Sequence, residues 1–126
     1  MTLIERIYYY SKWFLQRVFR GYSDYDFMDF NEFICKKIRR YLKKWVEHER
    51  CGYPASLESF EEWNKILDEI VWVIEENANG FKGEQEIFDR NEDKGFSEFR
   101  PEVEAYWKRH EKAMELFGKY LPAMWD

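Results

Sequence analysis

Apolar side chains recur at steps of three and four residues through nearly the whole chain, and that spacing fixes the class of fold before anything else. Leu3, Ile7, Tyr10, Phe14 and Val18 fall on one face of a first helix over residues 3–20. Gly21 follows, where a left-handed cap carries no Cβ penalty. A second helix over 25–49 carries Phe30, Phe33, Ile34, Ile38, Tyr41, Leu42, Trp45 and Val46, and Cys51-Gly52-Tyr53-Pro54 ends it. Ser59-Phe60-Glu61-Glu62 has the spacing of a capping box, so a third helix runs from there to residue 77, with Trp63, Ile66, Leu67, Ile70, Val71 and Ile74 on its inner face. Pro101 suits the first turn of a last helix reaching residue 120, with Glu102 and Glu104 near its positive end.

Residues 80–99 carry three glycines, many charges and scattered phenylalanines, and predict an irregular excursion with one short helix over 84–90. The expected architecture is therefore all-α: four principal helices in one bundle-like or orthogonal domain spanning 1–126. Only three prolines and six glycines interrupt 126 residues, which argues against a many-turned β fold. A chain of this length buries a real core. Phe14, Ile34, Ile38, Trp45, Trp63, Ile66, Ile70, Trp107 and Phe117 are its expected members.

No stretch approaches the roughly 18 to 20 apolar residues that a membrane span needs. Glu5, Arg6, Lys12 and Arg17 interrupt the N-terminal segment too often for a signal peptide, and no membrane partner is expected. Cys35 and Cys51 form no Cys-x-x-Cys pair, and a reducing cytoplasm is the matching compartment. The net charge of −5 is unevenly spread: residues 1–51 hold 11 basic and 7 acidic side chains, residues 52–105 hold 5 and 15. Such a split marks a partner surface or lets the halves attract each other on folding.

Motifs for chemistry fail one by one. Asp24, Asp26 and Asp29 resemble the start of a calcium loop, but the sixth position is Asp29 instead of glycine and the twelfth is Cys35 instead of glutamate. Helix capping accounts for those acids. His48 and His110 are too few and too separated for a zinc site. No Gly-x-Ser-x-Gly elbow and no Gly-x-x-x-x-Gly-Lys phosphate loop is present. The pairs Glu61-Glu62, Asp68-Glu69 and Glu75-Glu76 point different ways around a helix and read as a solvated face. No catalytic residue, metal or cofactor is expected.

Two charged surfaces remain as binding candidates. Lys36, Arg40 and Lys43 form one row on the second helix, suited to an acidic protein or, less well in so acidic a chain, to nucleic acid. Glu69, Glu75 and Glu76 represent the acidic side, favoured for its larger charge excess. A third cluster, Arg20 with Tyr22, Tyr25 and Tyr53, offers the stacking and basic groups that a small nucleotide ligand would use.

Three stretches together resemble a family of small uncharacterised bacteriophage and prophage proteins. They are Arg20-Gly21-Tyr22-Ser23-Asp24-Tyr25-Asp26, Gly52-Tyr53-Pro54 followed by Glu62-Trp63-x-x-Ile66-Leu67-Asp68, and Leu116-Phe117-Gly118-Lys119-Tyr120 with Trp125-Asp126. The order matches along the chain outside 80–99. It departs at Met28, Asn31 and Arg39, where the family favours Trp, Asp and Pro. The resemblance implies a phage setting in the cytoplasm of an infected bacterium and no particular mechanism. The expected function is a non-enzymatic accessory protein that binds and blocks a bacterial defence or host protein.

Overall fold

The third helix of the sequence is the one element that the rest of the chain wraps. In the computed structural model, which describes residues 1–48 and 52–124, it becomes α3, Phe60–Ala78. Before it come α1 (Leu3–Arg20), a 3₁₀ turn at Asp24–Phe27, and α2 (Phe30–Glu47); after it come α4 (Lys82–Arg90), α5 (Phe96–Tyr120) and a short 3₁₀ turn at Leu121–Ala123. No strand occurs among the described residues. Glu49, Arg50, Cys51, Trp125 and Asp126, which include the expected end of the second helix and one cysteine, lie outside them.

α3 buries Trp63, Leu67, Ile70, Val73, Ile74 and Ala78 almost completely. α2 covers one side of it with Cys35 and Leu42, and α5 covers another with Ala113 and Tyr120. The Trp63 ring lies edge-on to both Trp45 (6.3 Å) and Tyr120 (5.5 Å), so one side chain joins all three helices. A smaller cluster of Ile87, Phe99 and Tyr106, flanked by Trp72 and Val103, attaches α4 to the N-terminal half of α5.

Local signals place the helix ends. Thr2 and Glu5 exchange both bonds of a capping box, and Gly21 closes α1 at φ +81°. Ser59 Oγ accepts the Glu62 N–H at 3.1 Å as expected, while the Glu62 carboxylate accepts the N–H of Glu58, one residue outside the predicted partner. Asp29 caps α2, which starts at Phe30 instead of residue 25 because the chain first forms the 3₁₀ turn over Asp24–Phe27.

The region 80–99 is more regular than its composition suggests. Gly80 and Phe81 both adopt left-handed backbone conformations, at φ +73° and +61°. The second is costly for a side chain. The Phe81 ring stacks near Trp107 (5.2 Å) and His110 (5.9 Å), contacts that offset the strain. α4 follows at once, and α5 begins at Phe96, so Pro101 sits inside the helix instead of in its first turn. The five helices among the described residues are the four principal ones expected and the short one, α4, which begins two residues earlier than expected.

The core expectation holds at Trp63 and Ile70, and Ile34, Ile38, Trp45, Ile66 and Phe117 are half-buried. It fails at Trp107, which is 37% exposed because its ring spans the α4–α5 surface, and at Phe14, which is 64% exposed. No residue of α1 is buried. Truncating Trp63 to alanine should therefore cost about 3–5 kcal/mol by opening a cavity at the junction of three helices. Phe14→Ala should stay within about 0.5 kcal/mol of the parent. Equilibrium denaturant unfolding of the two variants checks both values.

Candidate functional site

The charged residues expected to bind a partner are mostly engaged with one another. Glu69 accepts from Arg109 Nε and Nη2, both at 3.0 Å, and the Arg109 guanidinium lies 3.7 Å over the Trp72 ring. Glu75 pairs with Lys43 at 2.7 Å, tying α3 to α2. Glu76 Oε1 accepts both the Gly83 N–H at 2.8 Å and the Tyr106 hydroxyl at 3.0 Å, linking α3 to α4 and α5. A Cβ at Gly83 would stand 2.4 Å from that carboxylate oxygen and 2.8 Å from the Tyr106 ring, so a larger residue here would displace the side chains that form this link. Burial, and then the bond to Glu76, raises the Tyr106 hydroxyl pKa well above the ordinary tyrosine range.

The basic row divides in the same way. Lys36 pairs with Glu32 on its own helix, and Lys43 is the partner of Glu75. Arg40 reaches only the Tyr41 ring, at 5.8 Å, and neither it, Lys37 nor Lys44 meets a carboxylate among the described residues. Lys37, Ile38, Tyr41, Leu42 and Trp45 of α2 face Phe117, Leu121 and Met124 across an open trough of about 420 Å³. Its lining is almost entirely apolar. The trough was not anticipated, because it depends on how the end of α5 meets α2. Tyr41, read from its spacing as part of the apolar stripe of the second helix, is 64% exposed here.

The expected aromatic ligand cluster is divided. The Arg20 guanidinium lies 4.5 Å over the Tyr22 ring, but it is held by Asp24 at 2.5 Å. A phosphate would have to displace that carboxylate. Tyr25 packs on Trp13 at 4.8 Å. Tyr53 lies edge-on to Phe60 at 4.9 Å beyond the other end of α2, an 18-residue helix about 27 Å long. Arg17 holds the Asp26 carboxyl below the usual range through a 2.9 Å bond, and bonds from Gln16 and Arg20 do the same for Asp24. The three-acid turn is a fastener for α1 and a cap for α2.

One polar chain, centred on the buried Asn77, links α2, α3 and α5. Asn31 of α2 donates to Asn77 Oδ1 at 3.0 Å, and Asn77 Nδ2 contacts both the Val73 carbonyl (2.7 Å) and His110 Nε2 (2.8 Å). With Asn77 spending its second amide proton there, His110 Nε2 is the acceptor, which requires the neutral ring. Burial lowers the His110 pKa accordingly, with the Glu76 charge opposing it. Cys35 Sγ contacts Asn31 Oδ1 at 3.5 Å, and burial raises its thiol pKa, which opposes formation of the reactive thiolate. Cys35 and His110 stand at opposite ends of this chain with two asparagines between them, so they cannot act as a nucleophile and its base. No cluster of three or more His, Cys, Asp or Glu able to hold a metal occurs among the described residues.

No family model, curated protein or solved structure matches the chain.

The neutral-ring requirement has a measurable consequence. The unfolded chain protonates His110 near its ordinary pKa of about 6.5, while the folded chain resists until lower pH. That contribution to stability is present above pH 6.5 and is lost as pH falls through that value toward the folded pKa. Thermal unfolding between pH 7.5 and 5.5 should show a smaller loss of stability for His110→Gln than for the parent.

Proposed function

We propose that the protein is a non-enzymatic phage accessory protein that binds a bacterial defence or host protein and blocks it by occupying its surface. The observation that carries this reading is the apolar trough between α2 and the end of α5, bordered by Lys37, which meets no carboxylate among the described residues. A trough of this kind suits a partner helix that lays an apolar face into it. Lys37 on its lining, with Arg40 and Lys44 on the adjoining flank of α2, selects for acidic residues flanking that face and speeds the encounter. The resemblance in three stretches of sequence supports the phage setting.

The acidic side is the weaker surface, for a geometric reason. Glu69, Glu75 and Glu76 spend their oxygens on Arg109, Lys43, Gly83 and Tyr106, so reversing them would unfasten the helices. A fair test of that side uses Glu61 and Asp68, which are exposed.

Tagged protein is used to capture bacterial proteins from lysate, and each purified partner is titrated by calorimetry. Lys37→Glu combined with Arg40→Glu and Lys44→Glu should raise Kd at least about tenfold, or 1.4 kcal/mol. Tyr41→Asp should do so independently, since its ring is exposed in the trough. Glu61→Lys with Asp68→Lys should bind like the parent. Unchanged affinity in the first two variants, or loss confined to the third, would place the working surface elsewhere.

A further inference from the structure

α1 is built like a helix meant to lie against something, yet the body of the protein does not cover it. Each helical residue advances about 100°. Tyr10, Leu3, Phe14, Ile7, Val18, Ser11, Ile4, Leu15, Tyr8 and Phe19 therefore follow one another around about half the circumference, and Ser11 alone among them is not a large apolar or aromatic side chain. The other nine are between 52% and 83% exposed. At about 150–250 Å² for each large side chain, they offer on the order of 1,000 Å², beyond the roughly 300–600 Å² of the largest patch on an ordinary monomer.

The contacts α1 does make come from its opposite half. Gln16 bonds Asp24 twice, once through its amide nitrogen and once to the backbone N–H, both at 2.9 Å. Arg17 holds Asp26, Arg20 holds Asp24, and Trp13 packs on Tyr25. The 3₁₀ turn thus grips the polar half and turns the apolar half outward.

We propose that α1 lies flat in the interfacial region of an anionic lipid bilayer. Three observations favour lipid over protein. The apolar arc spans about 180°, whereas a helix facing a single protein surface needs a stripe of about 100°; a deformable apolar phase takes up the whole arc. The bases sit where a lipid surface wants them: Arg6 and Arg17, the latter also holding Asp26, border the arc beside Tyr10, and Lys12 borders it beside Phe19, with the single acid, Glu5, next to Lys12 on the polar side. Basic side chains at such margins reach phosphates while their stems stay in apolar surroundings. Charge is also separated along the chain. Residues 1–20 carry four basic side chains and one acidic in a protein of net charge −5, so an anionic surface attracts this end and repels the remainder. Among the described residues no helix is long and apolar enough to cross a membrane, so α1 lies on the bilayer instead of spanning it. The expectation of no membrane partner rested on the lack of a span and of a signal peptide, neither of which a helix lying in the interface requires. This inference is independent of the trough on α2 and α5.

Co-sedimentation of the full chain with vesicles tests it, using equal parts phosphatidylglycerol and phosphatidylcholine against phosphatidylcholine alone. The protein should partition at least about tenfold more strongly onto the anionic vesicles. Ile7→Glu with Phe14→Glu should reduce this to background without changing circular dichroism or melting temperature, because neither side chain is buried. Arg6→Glu with Lys12→Glu should weaken it severalfold while leaving the apolar half intact. Equal binding to both vesicle types, or binding unaffected by Ile7→Glu with Phe14→Glu, overturns the proposal. So does a dimer in light scattering that the same pair of changes converts to monomer without any vesicle binding, since a second copy would then be what covers α1.

Discussion

The burial of α3 is the constraint on which the rest depends. A helix with Trp63, Leu67, Ile70, Val73, Ile74 and Ala78 all out of water is apolar around too much of its circumference to be covered by one neighbour. α2 and α5 must flank it together, and Trp63 contacts an aromatic ring from each. Burying these side chains is the main favourable contribution to folding. The other helices are arranged by what remains: α4 docks only on α5 and the adjoining face of α3, and α1 is left outside.

That arrangement explains which parts were legible in the sequence. α3 was legible in its bounds and in most of its inner face, since its apolar spacing and the Ser59 cap agree, but the burial of Val73, Asn77 and Ala78 was not. α2 was legible in type but not in its start, because the acids at 24–29 serve a 3₁₀ turn and a cap within a few residues, and spacing does not separate the two. The start of α5 was misplaced because Pro101 was taken as a boundary. A proline five residues into a helix forfeits one backbone bond, to the carbonyl of Ser97, and long helices tolerate that so near their start. The left-handed Phe81 could not be read at all, since its conformation follows from packing against Trp107 and His110 across the chain. Phe14 carries a different lesson: periodicity reveals that a helix has an apolar face, not what that face meets.

Charge behaved similarly. The acidic and basic halves were visible in composition, but the sequence does not say which carboxylate reaches which base. Glu69, Glu75 and Glu76 look like a solvated face when counted and act as interhelical fasteners when placed. Lys37, Arg40 and Lys44 meet no carboxylate among the described residues, and the apolar trough that Lys37 lines is made by the far end of α5.

The amide of Asn77 sets the alignment of the helices. Greasy helices packed together can slide by one turn, about 5.4 Å, and exchange one set of aliphatic contacts for another of similar worth. Sliding α3 by that distance would strip Asn77 of Asn31 and His110 at once, leaving a buried amide with bonds unmade, at a cost of about 1–3 kcal/mol for each group. The aliphatic residues of α3 supply most of the adhesion and little of the choice of register. Were they shuffled among themselves at constant volume, the asparagine would still mark the one place where the three helices fit.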